Sequence, residues 1–230
     1  MMSHHSDVEE QQINELKGFI KKYWQLIVII LIIALAAVWG WRYWQSHHSA
    51  KLAQSSETFE ALVVKLDAKN PDSVKELVAF SDSENNVYGI LASLKAAQFY
   101  VEDLKDYPGA QALLENAAKK TKDNAVLGVI YTRIARLQYQ QGLNDQSLQT
   151  LDKIKGEGWL PAVNDIRGDI FVKQGHYDEA IAAYQAALEE KPATELASNV
   201  QMKLNDALYQ QQKQANVSQA DNSAAPAPAN

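Results

Sequence analysis

Side chains that commonly carry catalysis or bind metal ions are few in this chain. None of its 230 residues is a cysteine, which excludes disulfides, thiolate metal ligands and a cysteine nucleophile. His47 and His48 are adjacent, and neighbouring residues on a helix point in different directions, so we interpret them as two interfacial histidines rather than as ligands of one metal ion. His176 falls in a predicted turn, where contact with solvent explains it. The pattern predicts no metal site.

The motifs of known catalytic sites are also missing from the sequence. Gly156-Glu157-Gly158 is too short for a phosphate-binding loop, which needs a preceding strand and more backbone donors. No Gly-x-Ser-x-Gly, His-Glu-x-x-His or paired-carboxylate motif stands out. These observations predict a protein that is not an enzyme and needs no cofactor.

The charge balance argues against a nucleic-acid partner. The chain has 22 Lys and Arg against 28 Asp and Glu, for a net charge of −6. The part after Trp44 retains this whole net charge, because four basic and four acidic residues precede it. A surface that binds nucleic acid needs a dense basic patch, and none is visible here.

An apolar stretch near the N-terminus predicts a transmembrane helix over residues 23–44. Its fourteen central residues, from Leu26 to Trp39, are all apolar. As a helix, Trp24 to Trp41 would span roughly 27 Å, close to the hydrocarbon thickness of a bilayer. Aromatic residues that favour the headgroup level bracket the stretch and are expected to anchor it: Tyr23, Trp24, Trp39, Trp41, Tyr43 and Trp44.

Two other interpretations of this stretch compete with an uncleaved signal anchor. One is a buried core helix, although soluble cores seldom offer an all-round apolar surface of this length. The other is a cleaved signal peptide with a site at Ala34-Leu35-Ala36, although the apolar run continues beyond it. The signal anchor fits best, with a lipid bilayer as its surroundings. Lysines in residues 17–22 outnumber the basic residues just after the stretch, so residues 1–22 are predicted to form a cytoplasmic tail.

The remainder of the chain predicts helices and no strands. Residues 45–86 are predicted as juxtamembrane helices at 52–68 and 71–82, with a divergent fourth repeat as the alternative interpretation of this pair. The first helix either continues the membrane helix or follows a break near Ser46. Asn70 is the expected cap before Pro71. Residues 87–213 alternate helices with short turns, and residues 214–230 are predicted to be a disordered tail. The predicted helices of the middle part are 87–102, 107–119, 124–141, 145–154, 159–173, 177–190 and 193–213.

The segment from Gly168 to Pro192 carries a specific repeat pattern. Gly168 and Ala180 lack bulk where two antiparallel helices would cross, Tyr184 would fill the gap, and Pro192 would end the second helix. This spacing resembles a tetratricopeptide repeat. A weaker copy begins 33 residues earlier, with Ala135 and Ser147 in place of Gly168 and Ala180, and a third begins another 37 residues before that.

The predicted fold class is therefore all-α: a single N-terminal transmembrane helix followed by a tetratricopeptide-like helical-repeat solenoid, in which stacking of repeats forms one continuous core. In such repeats the first helices line a concave face. Mapping by repeat position predicts a partner-binding groove on that face, the alternative being a solvated face without a ligand. The mapped residues are Thr132, Arg136, Tyr139, Asp165, Asp169 and Lys173.

Several strings resemble the YfgM family of ancillary SecYEG translocon subunits, and together they extend over about residues 17–208. The most specific are Gly40-Trp41-Arg42-Tyr43-Trp44 and Lys155-Gly156-Glu157-Gly158-Trp159. Further matches occur at 88–94, 165–169 and 201–203.

The resemblance implies a single-pass protein of a Gram-negative inner membrane, with a cytoplasmic N-terminus and a periplasmic repeat domain. The implied partners are the SecYEG translocon, the periplasmic chaperone PpiD and nascent secreted proteins. The implied role is a non-enzymatic adaptor that links translocation to periplasmic folding. Two alternatives share the predicted fold: a tethered regulator that sequesters a stress-response signalling factor, and an envelope-assembly scaffold.

Overall fold

The computed structural model describes the backbone of residues 4–223 and the side chains of residues 17, 21–26, 28–45, 47 and 50–217. Within that range every regular element is a helix, which confirms the predicted all-α class. Two short 3₁₀ turns at Pro71–Val74 and Glu157–Trp159 accompany the helices. The α-helices are α1 His4–Val64, α2 Lys75–Ser83, α3 Val87–Glu102, α4 Tyr107–Ala118, α5 Asn124–Gln140, α6 Asn144–Leu151, α7 Leu160–Gln174, α8 Tyr177–Glu189 and α9 Thr194–Ser223.

The chain divides into two compact units, the first ending at Ser56 and the second beginning at Glu57. The first unit is a section of α1, and every described side chain from Lys21 to Gln45 on it is exposed. In the described part of the chain, only Lys21–Val64 contains a helix long and apolar enough to cross a membrane, with a mean hydropathy of 2.3 over its most apolar window. This exposure excludes the buried-core interpretation and fits a single transmembrane helix.

The aromatic residues predicted as membrane anchors lie along this exposed helix. Trp39 is 75% exposed and Trp41 is 67% exposed. The Trp41 and Trp44 ring centroids are 6.0 Å apart, and the Tyr43 ring stacks on His47 at 6.5 Å. Side chains of this type, apolar over most of the ring with one polar atom, suit the headgroup layer at the end of a membrane helix.

The second unit begins with the last turns of α1, where Phe59, Leu62 and Val63 pack against the first core cluster. The helix is continuous from His4, without the break near Ser46 that the sequence left open, and it ends at Val64 rather than at residue 68. Asn70 forms the predicted cap, since its side-chain oxygen accepts a hydrogen bond from the backbone N–H of Asp72 at 3.2 Å.

Three helical hairpins and a final helix follow. Helix α3 packs on α4, α5 on α6, α7 on α8, and α9 covers α8. Aspartates begin two of these helices: the Asp106 carboxylate accepts from the Gly109 N–H at 2.8 Å, and the Asp123 carboxylate accepts from the Ala125 N–H at 2.8 Å. Gly175 ends α7 with a φ of 76°, a left-handed conformation that glycine adopts without strain.

Small residues at the predicted crossings let the paired helices approach closely. Gly168 and Ala180 are both buried, and the ring of Tyr184 lies directly against Gly168. In the preceding hairpin the Ser147 hydroxyl donates a hydrogen bond of 2.7 Å to the Ala135 carbonyl. The repeat register inferred from the sequence is therefore the register of the packing.

The core runs through the second unit as three successive clusters. The first joins α2, α3 and α4 with Ile130, Ile134 and Leu137 of α5. The second joins α5, α6 and α7 around Leu151, Ile166 and Ile170. The third joins α8 and α9 around Tyr184 and Val200. Helices that are adjacent in sequence pack against each other along this unit, as in a solenoid.

Helix α9 is longer than predicted, because it runs to Ser223 instead of ending at residue 213. The extra turns contain Gln, Ala, Asn and Ser and no Gly or Pro, so nothing in their composition ends the helix. The predicted disordered tail thus differs from the structure over residues 214–223, while residues 224–230 lie outside the described residues.

Substitution of Gly168 tests the close crossing of α7 and α8. The added Cβ of Gly168→Ala would lie 2.3 Å from Tyr184 Cε1, and the buried ring must move to admit it. We expect a loss of about 1–3 kcal/mol in the free energy of unfolding, measured by urea denaturation of the full chain in detergent. Gly158→Ala is the matched control, since no heavy atom lies within 4 Å of its added Cβ. Equal stability of the two variants would contradict the close crossing.

Candidate partner-binding groove

Two predicted groove residues form an internal ion cluster. Asp165 and Asp169 lie one turn apart on α7, and both bind Lys203 of α9. The Lys203 Nζ lies 2.7 Å from Asp165 Oδ1 and 2.7 Å from Asp169 Oδ2. The Tyr184 hydroxyl donates to Asp169 Oδ1 at 2.8 Å. The acids of the third hairpin therefore join three helices.

Burial and the contacts within this cluster shift the pKa values of its side chains. Asp165 is only 4% exposed, and burial raises the pKa of its carboxyl group despite the neighbouring cation. Burial alone would lower the pKa of Lys203, but the hydrogen bonds and the negative charges of both carboxylates together outweigh burial and raise that pKa. Burial, reinforced by the bond to Asp169, also raises the pKa of Tyr184. Lys203 stays charged, and its ammonium group is the partner of both acids that the sequence had assigned to the groove.

Three more predicted groove residues also have partners inside the chain. Thr132 is 8% exposed, and its hydroxyl donates to the Gly128 carbonyl at 2.6 Å. Its side chain is therefore buried and hydrogen-bonded within α5. Lys173 donates to the backbone carbonyl of Tyr139 at 2.7 Å, and its Nζ lies 4.4 Å from the centroid of the Tyr139 ring. These contacts connect α7 to α5 across the hairpins.

Arg136 differs from the other predicted groove residues. It is exposed, and no salt bridge holds it among the described residues. Its charge weakly opposes the rise that burial causes in the pKa of Asp165, yet the ion partner of that acid is Lys203. Arg136 thus keeps its guanidinium donors available to a partner.

The structure places Arg136 at a cleft of about 480 Å³ between the α3–α4 hairpin and α5. A second arginine, Arg133, lies beside it on the cleft wall. Both arginines lie on one face of α5, because residues three apart on a helix are neighbours. Three further lining residues are polar, namely Gln98, Glu102 and Gln140, and the Glu102 carboxylate accepts hydrogen bonds from Gln98. The remaining lining residues are apolar or aromatic: Leu94, Ala97, Val101, Tyr107, Leu114 and Leu137.

Sequence reasoning missed Arg133, the α3 wall and Lys203. Spacing on α5 could have revealed Arg133, since it shares a face with Arg136. No sequence signal connects Lys203 with Asp165, because they are 38 residues apart and meet only when α9 packs on the last hairpin. The cleft replaces the predicted set as the candidate groove, with Arg136 common to both.

Among the described residues, no group of three or more His, Asp or Glu is close enough to hold a metal ion. Two groups of charged residues mark this region: the ion cluster at Lys203 and the arginine pair at the cleft. Ion pairs and exposed guanidinium groups bind and orient partners.

The fold and the cleft define a tetratricopeptide-like repeat protein with an N-terminal helix suited to a membrane. A family model described as a tetratricopeptide repeat-like domain matches residues 17–220. The Ancillary SecYEG translocon subunit of Escherichia coli (strain K12) is 33% identical over 86% of this chain and 96% of its own length. The protein of the same name from Aggregatibacter actinomycetemcomitans is 31% identical over 86% of this chain and 97% of its own. The chain therefore belongs to the YfgM family of ancillary SecYEG translocon subunits.

Removing the cation of the ion cluster tests its contribution to stability. Lys203→Met would leave the buried Asp165 carboxylate without its partner, and we expect a loss of about 2–3 kcal/mol in the free energy of unfolding. The cost is smaller than for a fully buried pair, because the Lys203 side chain is 36% exposed. Adding Asp165→Asn to that variant should restore part of the loss. Lys155→Met, at an exposed loop lysine, is the control, and an equal loss there would contradict the cluster's role.

The same variants give a pH dependence with a defined sign. The folded-state pKa of Lys203 lies above its ordinary value of 10.5, so its stabilisation is complete below pH 10.5 and disappears as pH rises through the raised pKa. The difference in unfolding free energy between the unmodified chain and Lys203→Met should stay constant from about pH 8 to 10 and shrink above that range. Urea denaturation at each pH measures it, and a difference that persists at the alkaline end would contradict the assignment.

Proposed function

We propose that this protein is a membrane-anchored, non-enzymatic adaptor of the SecYEG translocon that links translocation to periplasmic folding. The observation that carries the proposal is the match over nearly full length to relatives named ancillary SecYEG translocon subunit, at 33% identity for the Escherichia coli protein. A match that includes the apolar helix and the repeats indicates a shared role more strongly than a match to a repeat alone.

The two units of the chain support separate parts of this role. The exposed apolar section of α1 is suited to a bilayer or to the membrane part of a translocon. The repeat unit offers the cleft between the α3–α4 hairpin and α5. Anchoring would hold that cleft at high local concentration near the site where chains emerge, so that modest affinities suffice.

The proposed orientation places the N-terminus in the cytoplasm and the repeat unit in the periplasm of a Gram-negative cell. The lysines before the apolar stretch support it, since basic residues favour the cytoplasmic side. The proposed periplasmic partners are the chaperone PpiD and nascent secreted proteins. Both would be held by non-covalent contacts with the repeat surface.

Orientation can be measured without background, because the natural chain has no cysteine. In Lys122→Cys the single thiol lies at an exposed position between α4 and α5, and we expect a membrane-impermeant maleimide to label it in intact cells with a permeabilised outer membrane. Lys17→Cys, on the other side of the apolar stretch, should be labelled only after the inner membrane is lysed. The reverse pattern would overturn the orientation.

In-cell photocrosslinking tests the adaptor role. We expect a crosslinker at Ile29 or Ile33, both exposed on the apolar helix, to give adducts with translocon subunits. A crosslinker at Arg136 should give adducts with a periplasmic chaperone or with nascent chains, and one at Lys122, outside the cleft, should give few.

Two results would count against the proposal. One is the absence of translocon subunits when the full chain is purified in a mild detergent that preserves the translocon. The other is crosslinking only to unrelated proteins, which would favour the regulator or the envelope-assembly scaffold.

A further inference from the structure

The cleft between the α3–α4 hairpin and α5 combines apolar walls with Arg133 and Arg136, which form no salt bridge among the described residues. The one acid in the lining, Glu102, accepts hydrogen bonds from Gln98. Leu94 and Val101 on α3 and Tyr107 at the start of α4 are each only partly buried, so they retain surface for a ligand. Leu114 and Leu137 are buried at the base. A volume of about 480 Å³ lies within the range of cavities that bind ligands in proteins.

Comparison with the next hairpin shows what is unusual about the arginines. Asp169 lies 33 residues after Arg136, at the equivalent repeat position, and Lys203 of the following helix neutralises it. Lys203 also holds Asp165, an acid whose pKa the charge of Arg136 influences only slightly beside burial and Lys203. No acidic side chain forms a salt bridge with Arg133 or Arg136 among the described residues. The intramolecular pairing that closes the third hairpin is therefore absent from the cleft.

The arginine pair and the apolar walls together indicate which kind of ligand the cleft favours. Arginine forms bidentate, charge-assisted hydrogen bonds with carboxylates, and an adjacent apolar wall strengthens them by excluding water. The cleft walls in turn accept aliphatic or aromatic side chains. A net charge of −6 on the chain would repel acidic ligands elsewhere, which concentrates their binding at an exposed arginine pair.

We propose that this cleft binds a short acidic and apolar peptide segment of a protein partner, with its apolar side chains on the α3 wall and its carboxylates on Arg133 and Arg136. The inference rests on the proposed function in one respect, namely that the partner is a protein. It adds the location of the contact and the class of sequence that is recognised.

Binding of defined peptides to the full chain in nanodiscs of zwitterionic lipid tests the proposal. Three fluorescent peptides of equal length serve as probes: one alternates Glu with Leu and Phe, one carries Lys in place of Glu, and one alternates Glu with Gly. Fluorescence anisotropy should show binding of the first and at least tenfold weaker binding of the other two. Raising the salt concentration should weaken the binding of the first peptide, because salt screens the attraction between exposed charges.

Removal of the arginines is the decisive comparison. Arg133→Gln/Arg136→Gln should weaken the acidic apolar peptide at least tenfold and leave helicity and melting temperature unchanged, since both side chains are exposed and without ion partners. Lys119→Gln/Lys122→Gln removes the same charge at the far end of α4 and should bind the peptide as the unmodified chain does. Leu94→Ala/Val101→Ala should also weaken the peptide, which separates cleft binding from simple charge attraction.

Four results would overturn the inference: no binding of the acidic apolar peptide, equal binding of the Glu–Gly peptide, unchanged binding to the arginine variant, or displacement of the peptide by phosphatidylglycerol vesicles, which would assign the arginines to lipid headgroups. None of them depends on the translocon. Copurification of the arginine variant with the translocon is measured in parallel, so failure of the cleft and failure of the adaptor role are distinguishable.

Discussion

Close approach of the two helices in a hairpin is the constraint on which the repeat unit depends. At the last hairpin the Tyr184 ring lies against Gly168 with no room for another carbon atom. A hairpin alone leaves its outer apolar face in water, so it is stable only when the next hairpin covers that face. The spacing within one hairpin therefore sets the positions of the side chains that receive the next.

The same spacing determines which charges are neutralised. The hydroxyl of Tyr184 reaches Asp169 because its ring crosses over Gly168. Helix α9 then brings Lys203 onto Asp169 and the buried Asp165. A buried carboxylate needs such a partner, because without one no contact offsets the free-energy cost of removing its hydration water. The exposed arginines of α5 have no such requirement, and they remain open at the cleft.

An adaptor protein needs binding surfaces and a defined location in the cell more than it needs reactive groups. The exposed apolar section of α1 is suited to a membrane, and the repeat unit provides the cleft. Membership in the YfgM family agrees with a chain in which the described charged residues form ion pairs, caps and an arginine-lined cleft. These are groups that hold proteins together, and their energies come from burial and charge complementarity.

Local patterns in the sequence were enough to predict the fold class and the register of the repeats. The run from Leu26 to Trp39 predicted the membrane helix, and the spacing of Gly168, Ala180 and Tyr184 predicted the hairpin crossing, because both are local patterns read along one helix or between two adjacent ones. Cap residues such as Asn70 were predictable for the same reason. The far end of α9 was not, since Gln, Asn and Ser are compatible with either a helix or a coil.

Which of the predicted groove residues are paired inside the chain, and which stay exposed, followed only from the packing of the helices. Repeat position placed Thr132, Asp165 and Asp169 on the concave face, but packing buried the first two and joined both acids to Lys203. Arg133 became part of the cleft because α5 turns that side toward Val101 and Tyr107. Pairing of charges depends on distances in space between residues far apart in the chain, and a pattern in sequence records neighbours only along one element.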